Sequence, residues 1–266
     1  GKRILVLGGG GSIGSELVYQ LYEKNTVSVV DLDETRMFDL VEELGVQGMV
    51  ADISDEKSMQ RVFKTYAPEI IFNCAARKTV TPGESNPIEH IKTNVLGVYN
   101  IIQCASSYRP KIVQISTDKV LSDSIMGLTK KLAEKMVKNA GGISVRFGNV
   151  LGSRGSVIPL WSKQLEANKP LTLTDERMMR YFMTIPEAVT LVIKAAEIAE
   201  PGQTLIMDMG QPKSILELAK EILGKIGKPD YPIKTIGMRP GESLEERLMT
   251  DEEQARAKKI DNFFVV

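Results

Sequence analysis

The stretch "ILVLGGGGSIGSEL", Ile4 to Leu17, decides the fold. Its apolar run, Ile4–Leu7, suits a buried strand. Gly8, Gly11 and Gly14 follow in a G-x-x-G-x-x-G spacing, and an amphipathic segment opens at Ser12. Glycine permits a tight turn and a close approach of backbone to a pyrophosphate. The helix start, with Ser12 and Ile13, offers amide donors and partial positive charge to the same anion. A strand, a glycine turn and a helix in this order predict a dinucleotide site.

The same rhythm continues outward. Further strand runs lie at Val27–Asp31, Gly48–Ala51, Ile70–Cys74, Ile112–Ser116 and Ile143–Phe147. Helical periodicity covers Ser12–Lys24, Glu34–Leu44, Lys57–Tyr66, Ile88–Ser107 and Ile125–Asn139. Continuous apolar strands between amphipathic helices predict an α/β fold built on a doubly wound parallel sheet. After Phe147 the rhythm breaks at "GNVLGSRGSVIP", Gly148 to Pro159, and turn signals such as Arg239-Pro240-Gly241 recur. The expected division is a Rossmann domain over 1–148 and a smaller, mixed substrate-binding part over 149–266, with about 183–210 packing back on the first. Ligands of such sheets bind in the cleft at the carboxyl ends of the strands.

Composition narrows the function. Lys+Arg and Asp+Glu both number 34, so no net basic field points to nucleic acid or to a membrane surface. The apolar runs are strand-length, with no membrane segment and no secretory leader, and the expectation is a soluble cytoplasmic protein. Cys74 and Cys104 sit in apolar surroundings and read as core residues. The lone histidine, His90, has no partners for a metal, and no metal is expected.

Asp31 ends the second strand twenty residues after Gly11, where a carboxylate accepts from ribose hydroxyls. It would repel a 2′-phosphate, which favours NAD over NADP. Asp33 competes for that role, or caps the next helix. Asp52, in "ADIS" with Ile53, contacts the adenine amine or closes a turn.

Nine motifs occur in order: "GGGGSIGSEL", "IFNCAARKTV", "NPIEHIKTNVLGVYNII", "ISTDK", "MGLTKKLAE", "VRFGNVLGSRGSVIPL", "RYFMTIPEA", "LIMDMGQP" and "RPGE". From about Arg3 to about Glu252 the chain resembles the extended short-chain dehydrogenase/reductases. Within them it is similar to the polysaccharide-biosynthesis branch that contains CapD-type UDP-N-acetylglucosamine 4,6-dehydratases. The resemblance implies tightly held NAD, a UDP-sugar substrate and a redox-neutral cycle. In that cycle C4 is oxidised, water leaves across C5 and C6, and hydride returns to C6. Many members carry membrane-spanning regions ahead of the catalytic part, and this chain resembles the catalytic part alone. Members often form homo-oligomers through the helices that correspond to Ile88–Ser107 and Ile125–Asn139.

The reaction needs an acceptor for the C4 hydroxyl proton, a base for the C5 proton and an acid for the C6 hydroxyl. The "TDK" triplet has these groups. Thr117 is expected to hold the C4 oxygen, Asp118 to protonate the leaving group, and Lys119, with a lowered pKa, to take the C5 proton. The resemblance assigns the nicotinamide ribose to Lys130 and places Ala75 against the cofactor. Met126 stands where many relatives have a tyrosine, one helical turn before Lys130. The segment "VLSDSI", Val120 to Ile125, is about one residue short, with Asp123 or Ser124 as the helix cap.

Thr79 replaces a usual histidine, and Lys78 matches a lysine near the substrate. Arg154, Arg180 and Arg239 are candidates for the diphosphate, Glu242 for a ribose hydroxyl, and Asn149 for a phosphate or the sugar. Trp161 and Tyr181 read as packing residues. Two rival readings stay open. A UDP-sugar 4-epimerase shares the oxidation but needs no C5 base. A non-catalytic NAD- or nucleotide-sugar-binding regulator would explain Met126 and the short segment.

Overall fold

The computed structural model describes residues 1–266. Strand β1 (Arg3–Leu7) runs into the glycine turn and helix α1 (Ser12–Leu21) leaves it. The alternation continues through β2 (Thr26–Asp31), α2 (Glu34–Leu44), β3 (Gln47–Val50), α3 (Glu56–Tyr66), β4 (Ile70–Asn73), α4 (Gly97–Tyr108), β5 (Lys111–Thr117), α5 (Ile125–Asn139) and β6 (Ile143–Phe147). Later in the chain come α6 (Ile185–Ile198), β7 (Thr204–Met207), β8 (Lys258–Ile260) and β9 (Phe263–Val265). The strands form one sheet in the order β3-β2-β1-β4-β5-β6-β7-β9-β8. It is parallel from β3 to β7, and β9 and β8 add antiparallel at the far edge. The strand order reverses between β1 and β4, which opens the binding crevice there.

Alternate side chains of each strand feed opposite faces. Ile4 and Val6 join the core under α1, α2 and α6, whereas Leu5 and Leu7 join the core under α3, α4 and α5. Both faces are covered, which is why the strands read as unbroken apolar runs. Helix ends match their sequence signals. Asp33 caps α2 by accepting from the Arg36 amide, Asp55 caps α3, and Thr184 and Glu187 form a capping box on α6.

The expected helix Ile88–Ser107 is interrupted. Pro87–Ile91 leads into a π-helical turn, Lys92–Leu96, before α4 begins. The wide turn rotates Asn94 inward, where it is buried. Its side chain accepts from the Arg77 amide at 2.8 Å and donates to the Arg77 carbonyl at 2.9 Å and to Thr129 Oγ1 at 3.0 Å.

Residues after Phe147 divide between two places. Helix α6 packs on α1, and β7 extends the parallel sheet. A separate small core gathers Trp161, Leu171, Leu173, Met178, Ile215 and Leu223. Trp161 is buried and donates to the Thr172 carbonyl at 3.0 Å, consistent with a packing role. The C-terminal hairpin β8–β9 also joins the main sheet, which the sequence reading did not anticipate.

Buried Arg146 on β6 fixes the return of the chain. It pairs with Glu134 of α5 at 2.8 Å and with Glu253 at 2.8 Å, and donates to the Leu248 carbonyl at 3.0 Å. This ties the segment after the "RPGE" turn to β6 and α5. No helix is long and apolar enough to cross a membrane.

Candidate active site

A cavity of about 650 Å³ opens at the carboxyl ends of β1, β4, β5 and β6. That volume suits a small-molecule or cofactor site. Gly8, Gly11, Ser12, Ile13 and Gly14 form one wall. The turn is too tight for side chains: a Cβ on Gly14 would lie 2.2 Å from the Gly8 carbonyl oxygen, and one on Gly8 would lie 2.6 Å from the Ala75 nitrogen. Gly8 also has a φ of 75°. Gly11 caps α1, with no side chain between the helix start and the cavity. These residues fit a dinucleotide pyrophosphate.

Asp31 lies just beyond this wall. Its carboxylate accepts from the Gly10 amide at 2.8 Å and from the Asp33 amide at 2.9 Å, so it braces the glycine turn. Asp52 takes the turn role, accepting from the Ser54 amide and hydroxyl at 2.8 Å. The Ile53 side chain is buried against Gly97, and its carbonyl accepts from Asn100. Neither Asp52 nor Ile53 lines the cavity.

The catalytic candidates meet at the end of β5. Adjacent residues on a strand diverge. Here Asp118–Leu121 leaves the sheet as a 3₁₀ turn, capped by Thr117. The turn brings both side chains to one side, and Lys119 Nζ donates to Asp118 Oδ1 at 3.1 Å. The short "VLSDSI" segment closes neatly onto α5. Ser124 is the cap, accepting from the Gly127 amide at 3.1 Å. A Cβ on Gly127 would sit 2.1 Å from the Lys119 carbonyl oxygen, so only glycine lets the helix approach the turn this closely.

Lys119 does not have the protonation state expected of a resting base. Its Nζ also contacts Glu246 Oε1 at 2.9 Å and donates to Asn149 Oδ1 at 3.2 Å. Burial acts to lower its pKa, but the Asp118 and Glu246 carboxylates outweigh it and raise the pKa above the ordinary value. Asp118 departs from expectation in the same sense. Burial would raise its pKa, yet the Lys119 charge and hydrogen bonds from Lys119 and Thr117 hold it below the usual carboxylate range. It starts as a carboxylate, not as an acid. Thr117 Oγ1 donates to Asp118 Oδ1 at 2.9 Å.

Glu246 was missed in the sequence. It lies in "RPGESLEER", where neighbouring glutamates read as surface charge. Its side chain is 6% exposed and also pairs with Arg180 at 3.2 Å. Burial first, and then Asp118, push its pKa up to about 7 against the pull of Lys119 and Arg180.

Lys130 is buried on the cavity wall and donates to the Ile115 carbonyl at 2.6 Å. Burial lowers its pKa to about 8, against the carboxylate of Glu134. Met126 lines the cavity close by and is 1% exposed. Lys78 also lines the cavity, with its pKa lowered by desolvation and then by Lys119 and Arg154. Cys74 lines the cavity too, but burial pushes its thiol up to about 12 and keeps it from acting as a nucleophile.

The three arginines separate. Arg239 and Glu242 line the cavity mouth, with Glu242 accepting from the Arg239 amide at 3.1 Å. Arg180 lines the cavity, but its donors go to the Met179, Ser243 and Leu244 carbonyls and to Glu246. It therefore holds the 243–246 segment in place and presents no free cation to a diphosphate. Arg154 sits at the other end. Its amide donates to Ser12 Oγ at 3.1 Å, and its charge interacts with Arg36, Asp33 and Asp31. That places it beside the glycine turn, away from the expected sugar-nucleotide end.

The chain is similar to known proteins over nearly its whole length. A family model described as "Polysaccharide biosynthesis protein" matches residues 4–266. Capsular polysaccharide biosynthesis protein CapD of Staphylococcus aureus is 38% identical over 95% of this chain and 46% of its own length. The chain thus spans about half of that relative. A UDP-glucose 4-epimerase of Rickettsia bellii is 31% identical over 99% of this chain and 82% of its own. Among solved structures, Pen from Bacillus thuringiensis superposes with a TM-score of 0.93 at 32% identity, over 99% of this chain and 86% of that one. With a match over nearly its whole length, the chain belongs to the polysaccharide biosynthesis protein family, as the ordered motifs led one to expect.

Proposed function

We propose that this chain is an NAD-dependent nucleotide-sugar 4,6-dehydratase acting on a UDP-N-acetylhexosamine, with or without inversion at C5. The observation that carries this reading is the convergence of Thr117, Asp118, Lys119 and Asn149 at one end of the cavity, opposite the glycine turn. A C5 base beside a second proton carrier is what elimination needs and simple epimerisation does not. A bound NAD supplies the hydride acceptor for C4 and the hydride donor for C6.

The glycine turn, Asp31 and Lys130 hold the cofactor. Lys78, Asn149, Arg239 and Glu242 face the UDP-sugar. Thr117 accepts the C4 hydroxyl proton and relays it to ionised Asp118, which its hydroxyl already touches. Asp118, now protonated, gives that proton to the C6 hydroxyl as water leaves. Lys119 takes the C5 proton and returns one to C5 after hydride reaches C6. Protons and hydride balance, and the net change is loss of one water. Met126 cannot exchange a proton, which leaves this work to the strand end.

A 4-epimerase is the second reading, favoured by the 31% identity to the UDP-glucose 4-epimerase of Rickettsia bellii. A regulator without chemistry is harder to reconcile with the site. Burying a lysine between carboxylates has a desolvation cost that ligand binding alone does not call for. The exposed apolar side chains Leu96, Tyr99, Leu128 and Leu132, on the adjoining α4 and α5 region, suit a second copy of the chain.

The test is mass spectrometry after incubation with UDP-N-acetylglucosamine. A 4-keto-6-deoxy product without net NADH is expected, and Lys119→Ala should abolish it. Recovery of the C4 epimer alone would sink the dehydratase reading.

A further inference from the structure

Lys119 begins as an ammonium, so it must lose a proton before it can take one from C5. Direct contacts limit where that proton goes. Lys119 Nζ touches Asp118 Oδ1 at 3.1 Å, Asn149 Oδ1 at 3.2 Å and Glu246 Oε1 at 2.9 Å. An amide oxygen does not hold a proton near neutral pH. Asp118 is occupied by the C4 proton at that stage. Glu246 remains. Its second oxygen, Oε2, and Asp118 Oδ2 are both buried without a partner. Buried polar atoms without partners are uncommon, and the C4 proton, once on Asp118 and held between these two oxygens, would satisfy both.

We propose that Glu246 is a proton relay that discharges Lys119 to the free amine between C4 oxidation and C5 deprotonation. The inference rests on the dehydratase reading above. In the reactive form, which predominates above the Glu246 pKa of about 7, Asp118 and Glu246 are carboxylates and Lys119 is an ammonium. Arrival of the C4 proton neutralises Asp118 and removes one of the two countercharges of Lys119. The buried ammonium then passes its proton to Glu246 Oε1, giving a neutral amine and a neutral acid. The amine takes the C5 proton, and Asp118 releases its proton with the departing water. After hydride return, Lys119 protonates C5 and Glu246 gives its proton back. The cluster ends as it began.

The groups facing Glu246 are Asp118, Lys119 and Arg180. A carboxyl poised near neutrality among them suits a group that must both take and return a proton. Glu246 acts through Lys119 and is assigned no contact with the sugar.

Glu246→Gln tests this, because the amide keeps both hydrogen-bonding positions but cannot take the proton. In the variant loaded with NAD, substrate-dependent appearance of reduced nicotinamide should persist. Incorporation of solvent deuterium at C5 should fall on the order of 100-fold, the usual range for loss of a proton-transfer group. The acid limb near neutral pH in the wild-type rate profile should vanish. Deuterium incorporation within about threefold of wild type, with that limb intact, would overturn the relay. A substrate-free measurement separates this outcome from failure of the dehydratase reading. Carbon-13 NMR of labelled glutamate carboxyls should show one titration near neutrality that Glu246→Gln removes. If no glutamate carboxyl titrates there, the relay is wrong even if dehydration is observed. If the titration is present but wild type never exchanges C5, the dehydratase reading fails, and the relay fails with it as a catalytic device.

Discussion

Replacing Arg146 with methionine should cost stability in a pH-dependent way. The guanidinium is 3% exposed and makes five hydrogen bonds, to Glu134, Glu253 and the Leu248 carbonyl. Methionine fills similar volume but leaves two carboxylates facing each other, with side chains 8% and 15% exposed. Breaking such a buried cluster by removing one partner costs about 3–5 kcal/mol. The sign with pH follows from the carboxylates. In the wild type Arg146 and the Thr250 amide hold the Glu253 pKa below its ordinary value, against desolvation. That contribution is full above the unfolded pKa and is lost as pH falls through the folded one.

Without the arginine, burial and the neighbouring Glu134 carboxylate raise the Glu253 pKa. The variant therefore loses further stability as pH rises through the unfolded carboxylate value, roughly 4.3. The deficit should be larger at about pH 8 than at about pH 5. Urea denaturation of NAD-loaded protein at both values measures it. Because the cluster docks the chain just after Glu246, the variant should also lose turnover below its denaturation midpoint. A deficit under about 1 kcal/mol, or one equal at both pH values, would refute the reasoning.

Gly14→Ala should weaken NAD binding by at least about tenfold in calorimetry, because its Cβ meets the Gly8 carbonyl at 2.2 Å and an overpacked turn costs about 1–3 kcal/mol. Glu246→Gln should gain stability over wild type as pH rises. The wild-type carboxyl is neutral in the fold up to about 7 but ionises from 4.5 when unfolded, so stability falls across that window, by on the order of 3 kcal/mol in total. Denaturation of the pair at about pH 5 and about pH 8 reads this, and parallel curves would contradict it. Leu132→Asp should convert an oligomer to a monomer in light scattering, since Leu132 is 47% exposed on the apolar face of α5. An unchanged mass would remove that face from the interface.

The sequence by itself determined the parallel sheet and the nucleotide end of the cleft. Both depend on local rules. A strand buried on both faces must be apolar throughout, a turn under a pyrophosphate must be glycine, and helices announce their caps; α2 and α5 run over the residues their periodicity predicts. The expected helix Ile88–Ser107 missed its π turn because the extra residue serves Asn94, whose partners Arg77 and Thr129 lie on other segments. Strand β9 was not anticipated, because it depends on the edge that β7 offers it.

The tertiary structure alone decided the electrostatics of the site. Asp118 and Lys119 were legible as neighbours in the chain, but their protonation depends on what the fold packs around them. Glu246 comes from 127 positions further along the chain than Lys119 and is drawn in by Arg180 and by the Arg146 cluster beyond it. Arg154 and Arg180 were both candidates for the diphosphate, but the fold sends one to the glycine turn and engages the other with carbonyls. Charge is a property of a residue, but pKa is set by burial and by partners, and those are fixed only when distant segments meet.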